Sequence, residues 1–311
     1  MTALLALAHL AALLVLPIPL VGVINRTKAR WAGRKGPRLL QGFSDLRRLL
    51  RKRPVYSAVT TGLFAAGPVV LLATTLVSGL LAPLLGAFAP ISFPYDFVAF
   101  AYLWGTGRVF LMLSALDTGS SFEGMGASRE ATYAALLEPA LFLALGTLAA
   151  ATGRTTFAGL LAVGFRSPAQ AAISLGTLLT LFIVLQVEAA RVPVDDPATH
   201  LELTMIHEVM ILDHSGPDLA AVQYASAMKL TLCAAIIAGI LNPLRPGDGI
   251  GPGLVAAANL GLTVAVAVAV GVVESLVARL RLKLIPQYIL VGGLSAAVAL
   301  LVTAWWQGGG R

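Results

Sequence analysis

Eight stretches of this sequence stay apolar for about 20 residues each, and their length limits the fold more than any other feature. At about 1.5 Å of rise per residue, about 20 helical residues cross the hydrocarbon core of a bilayer. Charged residues make up only 12% of the chain, against about 25% in soluble domains. The runs are continuous rather than alternating, which excludes a transmembrane barrel. We therefore predict an all-α integral membrane protein that forms one transmembrane domain over residues 1–311. The predicted spans are residues 3–24, 58–83, 97–116, 132–152, 170–189, 221–241, 253–274 and 286–306.

Basic residues are concentrated directly after the first apolar run. Residues 26–53 hold eleven Lys and Arg against a single acid, Asp45. The positive-inside rule predicts that such a segment is cytoplasmic, so the N-terminus is expected outside. Alternation of the eight spans then places two acidic segments, residues 117–131 and 189–220, on the cytoplasmic side as well. Nearly all polar parts of the chain are expected to face one side of the membrane.

The predicted basic loop, residues 25–56, contains apolar residues at helical spacing. Leu39, Phe43, Leu46 and Leu50 recur every three or four residues, with basic residues between them. This pattern predicts an amphipathic helix that lies in the membrane interface. Two roles stay open, attraction to anionic lipid and docking of a peripheral subunit. Nucleic acid is disfavoured because the basic run adjoins a spanning helix and has few aromatic neighbours. The candidate docking residues are Arg34, Lys35, Arg38, Arg47 and Arg48.

The segment 117–131 is rich in Gly and Ser and is predicted to be a flexible cytoplasmic loop. In this interpretation Ser128 caps the next helix and Glu130 lies in its first turn. Glu138 follows inside an apolar run, just before a proline. A carboxylate at that depth needs a partner, a cavity or a proton.

The segment 189–220 is the most polar part of the chain after the basic loop. Pro193 is expected to end the preceding helix, and Asp196 is expected to cap a new helix that runs toward His214. Histidines would then recur every seven residues, about 10.5 Å apart, which is too wide for one metal ion, so no metal is assigned. The acids and histidines alternate with apolar residues, so they are either solvated loop charges or the buried groups of a proton relay. The only cysteine is Cys233, which cannot hold an iron-sulfur cluster alone.

Four blocks of the sequence, in order, resemble a known membrane-subunit family. The chain is similar to the membrane subunit that respiratory complex I shares with energy-converting nickel-iron hydrogenases. The matching positions are Gly36-Pro37, Gln41-Gly42 and Asp45-Leu46 in the basic loop, the stretch FEGMGASREATYAALLEPAL, the group Glu188, Arg191, Pro193 and Asp195 with Glu202-Leu203 and Ser215-Gly216 after it, and the terminal RLRLKLIPQYIL.

Departures from the quinone-reducing members of this family favour one branch. Ala198 and His200 stand where those members carry carboxylates, while Glu202 is retained. The central segment resembles most the formate hydrogenlyase and hydrogenase-4 type of membrane subunit. The resemblance thus implies an accessory chain, not a catalytic one, in a multi-pass position in the cell inner membrane.

The resemblance also implies partners and cofactors. Iron-sulfur clusters and a nickel-iron centre would lie in peripheral subunits docked on the cytoplasmic loops, and antiporter-like subunits would pack beside the helices. This chain would anchor that arm and couple electron transfer to proton or sodium translocation. No cofactor is assigned to the chain itself, and quinone stays open. Alternatives are a quinone-binding subunit of an NADH:quinone oxidoreductase, a secondary transporter, for which no internal repeat is seen, and a purely structural anchor.

Site residues follow from the family pattern, position by position. Acids of the central segment and of the 117–138 block would form a polar file toward the membrane centre, with Arg191 as their counter-charge. The candidate relay residues are Glu123, Glu130, Glu138, Glu188, Arg191, Asp195, Glu202, His207, Glu208 and Asp213.

Overall fold

The computed structural model describes residues 2–195, 205–245 and 249–308, and throughout these ranges the fold is built from helices. Seven of the helices in the described ranges are long and apolar enough to cross a membrane. A bent pair at the start adds an eighth span, so the prediction of about eight spanning helices in an all-α membrane protein is confirmed. The helices are α1 (Thr2–Val15), α2 (Pro17–Trp31), α3 (Gln41–Leu50), α4 (Gly62–Leu81), α5 (Asp96–Asp117), α6 (Ser121–Thr152), α7 (Phe157–Leu160), α8 (Pro168–Glu188), α9 (His207–Met210), α10 (Gly216–Leu241), α11 (Pro252–Leu276) and α12 (Ile285–Gly308).

The first span is broken between α1 and α2, whose axes differ by 48°. Pro17 and Pro19 follow the break, and proline removes a backbone donor and clashes with the preceding turn. Pro168, Pro217 and Pro252 lie in the first turn of a helix, where no donor is needed, whereas Pro68 and Pro139 lie inside α4 and α6. Local sequence therefore sets both the bend and several helix starts.

Helix α10 is the centre of the bundle. Of its most apolar 18-residue window, 83% is buried, whereas the other spans are 28–50% buried. It contacts α2, α3, α4, α8 and α11. A helix that is apolar on every face is stable only when neighbours surround it, and here those neighbours place the polar residues of α10 inside the protein.

The connections 32–61, 118–120 and 277–284, together with the described residues 189–195 and 205–215, meet at one end of the bundle, called here the polar side. Asp117 accepts hydrogen bonds from the Thr61 amide and hydroxyl at 2.6 and 2.9 Å, and Lys28 pairs with Glu274 at 2.9 Å. These contacts join the ends of α2, α4, α5 and α11. That the polar side faces the cytoplasm stays a prediction from the basic residues.

The amphipathic helix predicted in the basic loop is present as α3. None of its residues is fully buried, and it lies against α2 through two glycines. A Cβ at Gly22 would stand 2.2 Å from the Leu39 carbonyl oxygen, and one at Gly42 would stand 2.8 Å from Ile18 Cγ2. Glycine is thus required for α3 to approach α2 this closely.

The prediction of a loop over residues 117–131 is wrong from Ser121 onward, where the chain is helical. Helix α6 begins at Ser121, so Ser128 lies inside the helix and does not cap it. The helix persists despite its glycines because Gly126 packs against α9, where a Cβ would stand 2.4 Å from Val209 Cγ1. Tertiary packing here outweighs local helix propensity.

The prediction of a helix from Asp196 toward His214 is also wrong for residues 205–214, the part of it that the structure describes. The helix α8 ends at Glu188, before Pro193 as expected, but α9 covers only His207–Met210, and residues 211–215 are not helical. The two described histidines of the heptad spacing therefore do not share a helix. Residues 196–204, with His200 and Glu202, lie outside the described residues.

Candidate functional site

Arg108 of α5 is buried in the bundle and contacts three carboxylates. Its guanidinium lies 3.2 Å from Glu130 and 2.7 Å from Glu138, both on α6, and it donates a short hydrogen bond to Glu188 at the end of α8. Arginine offers five donors in a fixed planar arrangement, so it can serve three acceptors at once. Three helices are thereby joined through one side chain.

Lys229 of α10 completes this group, which we call the membrane cluster: Arg108, Glu130, Glu138, Glu188 and Lys229. The Lys229 Nζ donates to the second oxygen of Glu188 at 3.1 Å, so Glu188 bridges the two cations. The same Nζ lies 5.6 Å from the centre of the Trp104 ring, within range of a cation–π contact.

The membrane cluster carries three carboxylates against two cations, and its side chains range from buried at Arg108, Glu188 and Lys229 to 45% exposed at Glu138. Arg108 and Glu188 have side chains only 5% and 3% exposed. Charges at such a position are expensive unless paired, and they mark ion pathways and proton relays.

A cavity of about 20 Å³ adjoins the membrane cluster. Arg108, Glu130, Glu188, Lys229 and His207 line it, together with Ser226. This volume holds about one water molecule, and the lining is polar enough to bind it. The His207 Nε2 is buried and has no hydrogen-bond partner among the described residues.

A larger cavity of about 590 Å³ lies between α2, α3, α10 and the residues that flank α9. Ile18, Leu46 and Leu230 give it apolar walls. His207 and Ser226 line both this cavity and the small one, so they stand between the larger cavity and the membrane cluster. The volume is in the range of small-molecule sites.

Asp195 ties the central segment to the bundle. One oxygen accepts hydrogen bonds from the backbone amides of Ile206 and His207 at 3.1 and 3.0 Å, and the other accepts from Arg279 at 2.8 Å. Asp195 is 1% exposed. It therefore fixes the start of α9, and with it the position of the His207 ring.

Glu274 at the end of α11 was not among the sequence candidates but lies between two cations. Its oxygens are 2.9 Å from Lys28 and 3.7 Å from Arg191. The geometry is that of ion pairs, since neither oxygen makes a directed hydrogen bond within the described chain. Arg191 thus neutralises Glu274, while Arg108 and Lys229 neutralise Glu188. Arg191 was expected to be the counter-charge of the candidate acids, but among the described residues its ion pair is with Glu274, which was not one of them.

Glu123, Asp213 and His214 form a separate group near the start of α6. The carboxylate of Glu123 accepts from the Asp213 amide at 3.1 Å. His214 contacts Ser114 Oγ at 3.1 Å and stacks on Phe64 at 4.1 Å. Burial lowers the pKa of His214, so its ring is neutral near pH 7. This group packs the polar side and does not reach the membrane cluster in any contact of the described residues.

The structure thus brings Glu130, Glu138 and Glu188 into one cluster, with His207 at its edge. It places Asp195, Arg191 and the Glu123–Asp213 pair elsewhere on the polar side, and Glu208 on the wall of the larger cavity. Sequence reasoning missed Arg108 and Lys229 as site residues, although a charged residue inside a 20-residue apolar run is itself a functional signal.

The predicted docking residues lie on the outer surface of the polar side. Arg34, Lys35, Arg38, Arg47 and Arg48 are exposed, and Arg48 pairs with Asp45 of its own helix at 2.6 Å. Such a surface pair contributes little stability, about 0–1 kcal/mol. Most of this basic surface is therefore available to an external anionic group.

Comparison with known proteins gives consistent results. The protein family described as NADH dehydrogenase matches residues 3–305. The chain is 31% identical to hydrogenase-4 component C of Escherichia coli K12 over 241 residues, 76% of this chain and 75% of that protein. It is 27% identical to formate hydrogenlyase subunit 4 of the same organism over 272 residues, 86% and 88% of the two chains. Among solved structures, a chain of the membrane-bound sulfane sulfur reductase, an archaeal respiratory membrane complex, superposes with a TM-score of 0.76 and 18% identity, covering 97% of this chain and 99% of that one.

Proposed function

Because the chain belongs to the NADH dehydrogenase family, we propose that it is the membrane-anchoring and energy-coupling subunit of an energy-converting hydrogenase complex. Its similarity to subunits of hydrogenase-4 and formate hydrogenlyase supports this branch. The peripheral arm that docks on the polar side would hold the iron-sulfur clusters and the nickel-iron centre, since one buried cysteine, Cys233, cannot ligate a cluster. The polar side would face the cytoplasm of a cell whose inner membrane holds the complex.

The observation that carries the proposal is the membrane cluster, together with the polar residues that connect it to the larger cavity. Arg108, Glu188 and Lys229 are buried charges, and anchoring alone would not need them, because apolar residues would anchor at lower cost. His207 and Ser226 lead from the larger cavity to Arg108 and Lys229. Redox events in the docked arm would change the protonation of this cluster, because a local change of charge shifts the equilibrium between two states of a protein. Glu202, outside the described residues, stays a predicted member of this path.

The basic surface would receive the peripheral subunit. Its five exposed cations would meet an acidic face of that subunit or anionic lipid beside it. Antiporter-like subunits would pack on the lipid-facing sides of the outer helices.

The test is to recover the complex through a tag at the C-terminus, in mild detergent, and to identify what copurifies. Recovery of a nickel-iron subunit together with hydrogen evolution supports the proposal. Recovery of an NADH-oxidising arm with quinone reduction, and no hydrogenase, contradicts it.

We expect Glu138→Gln to lower proton translocation by about a hundredfold, the lower end of the contribution of a positioned proton-transfer group, while the complex still assembles. In the wild type the Glu138 carboxylate lies 2.7 Å from Arg108. The glutamine amide keeps an oxygen that can accept from Arg108, but it can neither take up a proton nor carry a charge. The measurement is dye-reported acidification of inverted membrane vesicles during hydrogen evolution. Asp218→Asn is the matched control, since Asp218 bonds Tyr56 on the polar side and lies outside the membrane cluster. Full translocation by Glu138→Gln would remove Glu138 from the path.

A second candidate function is quinone binding, and the larger cavity favours it. Its volume of about 590 Å³ and its apolar walls fit a ring with an isoprenoid tail. In this interpretation the chain would be the quinone-binding subunit of an NADH:quinone oxidoreductase. Hydrogen evolution that needs no quinone, and that a quinone analogue does not inhibit, would contradict it.

Gly22→Ala distinguishes a functional cavity from an incidental one. The added methyl would meet the Leu39 carbonyl oxygen at 2.2 Å, so α3 must move and the cavity wall with it. If quinone enters, we expect the KM for a short-chain quinone to rise at least about tenfold, the equivalent of about 1.4 kcal/mol. Gly261→Ala is the matched control because nothing lies within 4 Å of a Cβ there. Equal KM values in both variants would exclude this cavity as the quinone site.

A further inference from the structure

Lys229 is a charged group in the membrane cluster whose role the assignments above leave unexplained. It is 6% exposed, lies in the central helix α10, and is not among the relay residues predicted from the sequence. Lys229 adds a second cation to a cluster of three carboxylates, but Arg108 already donates to Glu188, so that contact alone does not explain why the second cation is a lysine.

The two cations of the membrane cluster differ in the one property that matters for proton transfer. Arginine stays charged in proteins, whereas lysine loses its proton readily when it is buried. Arg108 can thus hold Glu130, Glu138 and Glu188 in place permanently, while Lys229 can exist in two protonation states. When Lys229 is neutral, Glu188 keeps Arg108 as its partner, so no carboxylate is left without a cation.

The surroundings of Lys229 offer both stabilisation of its charge and a route for its proton. The ring of Trp104 lies under the ammonium at 5.6 Å. The small cavity joins Lys229 to His207, whose buried Nε2 has no hydrogen-bond partner in the described chain. Beyond His207 lies the larger cavity, at the polar side. The charged and titratable groups around Lys229 are Arg108 of α5, Glu130 and Glu138 of α6, Glu188 of α8, His207 of α9 and Cys233 of α10 itself.

We infer that Lys229 is the proton-exchanging residue of the membrane cluster, and that His207 passes its proton to and from the larger cavity. This inference rests on the proposed function and names the group that carries it out. The Lys229 ammonium gives one proton, through a water in the small cavity, to the neutral His207 ring. Lys229 becomes a neutral amine, and His207 becomes an imidazolium that releases the proton into the larger cavity. The reverse sequence recharges Lys229.

Lys229→Arg is the decisive variant because it keeps the positive charge and removes the ability to lose it. We expect the complex to assemble and to evolve hydrogen, with proton translocation into inverted vesicles reduced at least tenfold. Lys283→Arg is the control, since Lys283 is exposed outside both cavities. Wild-type translocation by Lys229→Arg would overturn the inference.

A second variant is needed in case the larger arginine side chain does not fit at position 229. Lys229→Gln combined with Glu188→Gln removes one cation and one carboxylate, so the net charge of the membrane cluster is unchanged. We expect this double variant to be recovered with its partners and also to fail in translocation. Translocation by any assembled form of it contradicts the role of Lys229.

The readouts also separate this inference from the proposed function. Hydrogen evolution by the wild-type complex that builds neither a proton nor a sodium gradient would overturn both. A sodium gradient, measured with a radioactive tracer, with no proton movement would leave the coupling function standing. It would overturn only the role of Lys229, because an amine does not bind a metal cation in its charged form.

Discussion

Arg108→Leu is expected to abolish the folded protein in the membrane. Leucine is similar in bulk to the arginine stem, but it leaves Glu130, Glu138 and the buried Glu188 with Lys229 as the only cation of the membrane cluster. Breaking a buried ion pair by removing one partner costs about 3–5 kcal/mol. That is a large part of the total stability of a typical domain, about 5–15 kcal/mol.

The measurement is the amount of tagged chain in purified membranes and its recovery with partner subunits. We expect a decrease of more than tenfold for Arg108→Leu and no change for Arg154→Gln, because Arg154 is exposed after the end of α6. Addition of Glu138→Gln should restore part of the amount, since it removes one of the carboxylates left without a partner. Normal recovery of the single variant would mean that the membrane cluster does not hold α5, α6 and α8 together.

Asp195→Ala is expected to uncouple the complex more than it lowers its amount. The substitution leaves the amides of Ile206 and His207 without their carboxylate acceptor and removes the partner of Arg279. Lost hydrogen bonds to a charged group cost about 1.5–3 kcal/mol each, but Arg279 is partly exposed and water can replace part of this loss. The start of α9 should therefore loosen while the spanning helices remain.

Hydrogen exchange over residues 205–210 tests this directly. We expect exchange at these amides to become at least tenfold faster in Asp195→Ala, and proton translocation to fall while hydrogen evolution continues. Asp195→Asn should lie between the variant and the wild type, because its amide oxygen can still accept both backbone hydrogen bonds, while its NH2 group cannot accept from Arg279. Unchanged exchange in both variants would show that Asp195 does not position His207.

The spanning helices could be predicted from the sequence because apolar length and helix rise determine them almost alone. The C-terminal ends of seven predicted spans lie within a few residues of the observed helix ends. The largest error at an N-terminal end is in α6, which begins at Ser121 and not near residue 132. That error arose because Gly and Ser normally favour a loop, whereas Gly126 is needed for close contact with α9. Propensity is local, and this contact joins residues that are about 80 positions apart in sequence.

The site was harder to predict than the fold for a related reason. The acids Glu130, Glu138 and Glu188 could be named from the pattern, but their partners lie on other helices, and spacing along one helix does not reveal them. Arg191 is close to Glu188 in sequence, yet the chain turns after α8 and directs it to Glu274. Arg108 and Lys229 were visible as charges inside apolar runs, and only the packing of α5 and α10 shows that both contact Glu188.

The enclosure of α10 has a consequence for how the protein responds to the lipid around it. A bilayer that is thicker or thinner than the apolar length of a helix makes that helix tilt or shift, at a cost of fractions of a kcal/mol per Å. This hydrophobic mismatch acts on helices that touch lipid, and α10, with 83% of its apolar window buried, has little such surface. The outer helices therefore absorb changes in membrane thickness, while protein contacts alone set the depth of Lys229 in the bilayer.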